Sequence, residues 1–186
     1  MSTAEKIKDM PAPIRRLQRL SSVVMLALIY ATVVMLAADR LLRKAVIEGS
    51  ATSPVTSPEV YLTILRVFVL LGAIALVVFQ AGVYGVLFAA VTRVPRPRLG
   101  HSVGWTLWGQ VPFMAAAGVA FGGWGQPGLD ALQQPMARLT LGVVGTIGYA
   151  VCAWYDNPGV ARGRVLGFVF LAVCVNSALL LLTATP

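Results

Sequence analysis

Five stretches of nearly continuous apolar residues, separated by charged or turn-forming segments, dominate the chain: residues 20–38, 61–91, 103–121, 139–155 and 165–183. Crossing about 30 Å of hydrocarbon at a 1.5 Å rise takes about 20 mostly apolar residues, and a helix satisfies its own backbone polar groups in lipid. The 61–91 run is long enough to tilt or to project past the interface. Strict alternation of apolar and polar positions occurs in none of the five, which argues against a β-barrel. The pattern predicts an all-α, polytopic integral membrane helix bundle with about five transmembrane helices over residues 20–186, preceded by a short tail over 1–19. The first stretch exceeds the roughly 7–15 residues of a signal-peptide core, and Leu36 and Ala38 make a poor cleavage site, so it reads as a retained helix.

The connections differ in character. Residues 39–48 (DRLLRKAVIE) interleave charges with apolar side chains, as an amphipathic interfacial segment does. Residues 49–58 (GSATSPVTSP) read as an irregular linker. Residues 122–135 (GGWGQPGLDALQQP) read as a turn-rich connection in which Trp124 anchors at the headgroups.

Composition strengthens the membrane reading. The chain is 58% hydrophobic and 12% charged, with a mean hydropathy of +0.79, against about 45–50% and about 25% in soluble domains. An ordinary soluble enzyme, a disordered chain and a disulfide framework are thereby excluded. The net charge of +8 would suggest nucleic acid in a soluble protein, but here the cations lie between apolar runs and orient the chain. Lys6, Lys8, Arg15, Arg16, Arg19, Arg93, Arg96, Arg98, Arg162 and Arg164 fall on one side; Arg40, Arg43, Lys44, Arg66 and Arg138 fall on the other. By the positive-inside rule the N-terminus is cytoplasmic and the C-terminus outside, with the cations at 40, 43 and 44 partly opposing it. The basic tail suits anionic lipids. Its Pro11 and Pro13 bar one continuous helix, although residues 14–20 can form an amphipathic turn into the first span. Twelve Arg against three Lys in an Ala-, Val- and Gly-rich chain point to a GC-rich bacterial source, hence a multi-pass protein of the inner membrane.

Helices in lipid associate where small residues let backbones approach. Ala81, Gly85 and Ala89 form such a ridge on the second stretch, Gly142, Gly145 and Gly148 on the fourth, and Ala115 to Gly118 (AAAG) on the third. These faces pack the bundle, or else form a homodimer face or a transporter hinge. Pro112 predicts a kink in the third stretch, with Gln110 beside it to satisfy a freed group.

Catalytic chemistry lacks its residues. The single histidine, His101, supports neither a two-His metal site nor a Ser/His/Asp set, and it reads as an interfacial hydrogen-bonding group. Cys152 and Cys174 form no CxxC, and their expected depths differ by roughly 10 Å. All seven acidic residues fall in tails or loops, which counts against an ion-coupled pump. Gln80, Gln110, Asn176, Thr32, Thr140 and Thr146 are left at depth as interhelical glue. Arg66 lies five residues into its apolar run, where it snorkels or grips a lipid phosphate or a partner carboxylate. No metal, cofactor or nucleic acid is expected.

At the third stretch the sequence reads Gly104-Trp105-Thr106-Leu107-Trp108-Gly109-Gln110-Val111-Pro112. This resembles the Gly-aromatic-Ser/Thr-Leu, four-residue spacer, Pro pattern of the Yip1 family, which follows a basic connection much like residues 93–98. The closing hairpin, with its short basic turn AWYDNPGVARGR, is similar too, and in layout the resemblance covers most of residues 60–183. The acidic-aromatic-Gly-Pro motif of eukaryotic members is absent and the N-terminal tail is short, so GTPase binding is not implied. The resemblance implies a non-enzymatic scaffold or accessory subunit that works through helix packing, lipid contacts and a membrane-protein partner or homo-oligomer. It transfers no catalytic residue. The contact surfaces expected are the small-residue faces and the cations Arg66, Arg93, Arg96 and Arg98. A small solute channel or transporter around Pro112, Gln110 and Gln80 is the alternative.

Overall fold

The computed structural model describes residues 12–50 and 57–183. Among them it is helical without a strand: α1 (Ala12–Ser50), α2 (Pro58–Thr92), α3 (Leu99–Gly109), α4 (Val111–Trp124), α5 (Gln126–Leu132), α6 (Pro135–Asp156) and α7 (Arg162–Thr183). Three helices among the described residues are long and apolar enough to cross a membrane: the Leu20–Asp39 part of α1, α2 and α6. The tail over 1–11, including Glu5, Lys6, Lys8 and Asp9, lies outside the described residues, as do the linker over 51–56 and residues 184–186.

Proline and its neighbours set most helix limits. Pro58, Pro112, Pro127 and Pro135 each stand in the first turn of a helix, where the missing N–H costs no intrahelical bond. Ser57 caps α2 by accepting the Val60 amide at 3.4 Å. At the other end Arg93 takes the left-handed conformation (φ 61°) and donates its amide to Ala89. Pro95 and Pro97 then keep the chain out of helix until Leu99.

Three expectations change. Residues 39–48 are not a separate interfacial segment: they continue the first stretch in one 39-residue helix, α1, which begins at Ala12 inside the expected tail and takes in Gly49 and Ser50. The third stretch is not one kinked span; it starts earlier, at Leu99, and is two helices of 11 and 14 residues separated at Gln110. Proline cannot donate to the carbonyl one turn back. The Gln110 amide bonds both the Thr106 and Leu107 carbonyls, closing the last turn of α3, and a fresh ladder starts with the Met114 amide on Gln110 O. Finally, the connection after Trp124 holds the short helix α5, whose Gly128 lies so close to α4 that a Cβ there would stand 2.3 Å from Ala120 O.

The core is aromatic. Tyr84 and Phe88 from α2, Trp105 from α3, Tyr149 from α6 and Phe168 from α7 meet as one buried cluster, mostly edge to face, with Tyr84 and Tyr149 centroids 5.0 Å apart at 72°. Edge-to-face pairing lets a positive ring rim meet a negative face. A smaller cluster joins Val33 of α1 to Met114, Ala117 and Leu129. The outer surface is apolar as well: Phe79 is 62% and Phe170 73% exposed, as suits helices solvated by lipid.

Candidate functional site

The crossing of α3 with α6 is made of glycine. A Cβ on Gly109 would stand 2.4 Å from Gly145 O, and one on Gly148 would stand 2.9 Å from the Gly109 Cα. Gly145 and Gly148 thus pack α6 against α3 within the chain, whereas Gly142 has nothing within 4 Å. On α2, Ala81 and Gly85 are buried and Ala89 is half-buried. The Ser102 hydroxyl of α3 donates to Ala81 O and accepts from Tyr149. In the AAAG segment the buried residue is Ala117, while Ala115 and Gly118 are exposed.

A ladder of neutral polar side chains runs beside this crossing. Gln110, at the break, donates to Gln80 at a long 3.5 Å, and Gln80 donates to the Tyr84 hydroxyl at 3.1 Å. Thr146 gives its proton to Gly142 O at 2.8 Å, so the Tyr84 hydroxyl is the donor in the 2.9 Å bond between the two. Asn176 of α7 donates to both Tyr84 and Thr146. Three helices, α2, α6 and α7, and the α3–α4 break are tied by groups that hydrocarbon would leave unpaired.

The cations expected as contacts separate to the two ends of the bundle. Arg66 pairs with Asp39 at 2.9 Å, and Asp39 also holds Arg43 at 2.7 Å, so the carboxylate that Arg66 grips belongs to its own chain and ties α2 to α1. At the other end Arg164 donates to Thr92 O, the last carbonyl of α2, at 3.0 Å, and Arg162 lies 5.8 Å from the Trp154 ring centroid. Arg93 and Arg96 are exposed in the α2–α3 connection.

Arg98 borders a cavity of about 480 Å³. The walls are Phe88, Pro95, Pro97 and Trp105, and its polar groups come from Arg98 and His101 on one side of the sequence and Asp156 and Asn157 on the other. Trp105 positions the acid, its indole N–H donating to Asp156 Oδ2 at 3.0 Å. Asn157 is held by its amide on Ala153 O at 2.8 Å, and the turn beyond it by the Trp154 indole on Val160 O. In the nine-residue motif, Trp105 therefore serves the cavity, buried Thr106 bonds back to Ser102 O, Leu107 is in the core, Gly104 meets Val23 of α1 and Pro112 opens α4. Asp156 and Asn157 carried no local signal in the sequence; only the α3–α6 crossing brings them to Arg98.

Cys152 and Cys174 are both free thiols. Among the described residues no three His, Cys, Asp or Glu side chains gather as a metal site would need. No protein-family model matches this chain, and no curated protein or solved structure matches it significantly.

Proposed function

We propose that this chain is a non-enzymatic membrane scaffold or accessory subunit, similar to the Yip1 family in its third-helix pattern, working through helix packing and lipid contacts. In this reading α3 and α4 together make the third of five crossings and α7 the fifth. The N-terminus is cytoplasmic, the C-terminus is outside, and the host membrane is a bacterial inner membrane. Its partners are anionic lipid and either another membrane protein or a second copy.

One observation carries the proposal: the side chains offered for a pore, Gln80 and Gln110, bond to one another and onward to Tyr84. Interhelical bonds of this kind hold helices together at about 0.6–2 kcal/mol each. Purification from the native host in mild detergent through a C-terminal tag, with crosslinking and mass spectrometry, tests it. A stoichiometric membrane partner or homo-oligomer is expected; a reproducibly lone monomer overturns the reading.

The break at Gln110 favours one second reading, a small solute channel or transporter, because interrupted helices beside polar groups recur at transport sites. Solute flux into proteoliposomes that falls on replacing Gln80 or Gln110 would establish it.

A further inference from the structure

We infer that the cavity between the α2–α3 connection and the end of α6 is a binding site for a zwitterionic phospholipid head, with the phosphate at Arg98 and the ammonium at Asp156. The inference rests on the membrane reading and deepens its lipid contacts.

The two charges share a cavity without neutralising one another. Arg98 and Asp156 both line it, yet no ion pair between them is formed: the Asp156 contact is the Trp105 indole on Oδ2, which leaves Oδ1 available as an acceptor. Each charge also stands at the helix end that raises its energy. Arg98 occupies the N-cap position of α3, the positive end of that helix, and Asp156 is the last residue of α6, the negative end of its own. Charges so placed are disfavoured by the helix dipoles, so each gains from a counter-charge brought in from outside. The arrangement makes one lobe of the cavity positive and the other negative. A phosphate alone would meet the carboxylate, and an amine alone would meet the guanidinium. A ligand carrying both charges on one short linker satisfies both lobes.

Size and surroundings agree with a lipid source. About 480 Å³ falls within the roughly 300–1,000 Å³ of small-molecule sites. Phe88, Pro95 and Pro97 give the head an apolar wall, and Leu99, next to Arg98, is 51% exposed where acyl chains would pass. The cavity lies at the ends of α2 and α6, the level at which helices of these lengths meet headgroups.

Native mass spectrometry of the full-length protein, titrated with phosphatidylethanolamine, phosphatidylcholine and phosphatidylglycerol, tests the site. In enough ammonium acetate to screen the anionic-lipid contacts of the exposed basic segments, the zwitterionic lipids are expected to be retained about tenfold better than the anionic one, a difference of ~1.4 kcal/mol. Arg98→Gln should remove that advantage by weakening the zwitterions. Asp156→Asn keeps an oxygen for the Trp105 indole and should raise phosphatidylglycerol to parity or above. Equal or better retention of phosphatidylglycerol by the unaltered protein overturns the proposal, as does zwitterion retention that neither substitution changes. Water-soluble glycerophosphoethanolamine separates the sources: it should compete weakly, and competition as strong as the lipid's overturns the lipid assignment. Lipid selectivity and partner capture are separate readouts, so failure of this site leaves the scaffold proposal standing, and the converse.

Discussion

Among the glycines of the α3–α6 crossing Gly109 has the least room, and the atom nearest its missing Cβ is the Gly145 carbonyl rather than a side chain that can swing away. Gly109→Ala must separate two backbones, and overpacking of this kind costs about 1–3 kcal/mol. Gly142→Ala, one turn from the crossing with nothing within 4 Å, should be neutral or slightly stabilising, since alanine is the better helix former. Thermal unfolding in detergent should therefore show a clear drop for the first variant and none for the second. At Tyr84 the argument concerns hydrogen bonds. Tyr84→Phe removes the acceptor of the Gln80 amide and the donor to Thr146, while Asn176 keeps Thr146 as a partner. A loss of about 1–2 kcal/mol is expected, read from the denaturation midpoint. It should be smaller in an Asn176→Leu background if the three side chains act as one unit.

At the scale of elements, the junction of α2 with α7 depends on Arg164, a cation placed on the last carbonyl of α2, where the helix dipole favours it by about 0.3–1 kcal/mol. Arg164→Gln should loosen that end before it unfolds the bundle, so hydrogen exchange should quicken over residues 88–94 and stay unchanged at the Asp39–Arg66 end. Helices were legible where a local signal existed. The second apolar stretch, 61–91, is matched by α2 to within three residues, although α2 starts at Pro58, which read as the end of a linker. The break at Gln110 was not legible, because Pro112 marks a lost hydrogen bond but not whether the chain bends or restarts. That outcome goes with tertiary contacts at Gly109, whose partners are 36 and 39 residues away. The helix α5 was hidden by its own residues: Pro127 and Gly128 read as turn formers, yet proline is tolerated in a first turn and Gly128 is the residue that lets α5 approach α4. For the cavity, Arg98 and His101 stood out in a basic connection, whereas Asp156 looked like one more loop acid.

For the whole molecule the two ends are chemically distinct, and this gives the orientation a direct test. Phe88 near the end of α2, Arg98 before α3 and Asp156 at the end of α6 border one cavity, so the α2–α3 connection and the α6–α7 turn lie at the same end. The 22 residues of α6 rise about 33 Å, which carries Met136 to the opposite end, where it is 75% exposed. With Cys152 and Cys174 replaced by alanine, single cysteines at Arg96 and Gly159 should react with a membrane-impermeant maleimide only from the cytoplasmic side, and one at position 136 only from the other. If Arg96 and Gly159 label from opposite sides, the helical arrangement itself is wrong. If they label together from outside, the fold stands and the positive-inside assignment is reversed, with Arg40, Arg43 and Lys44 then setting the orientation instead of the basic connections.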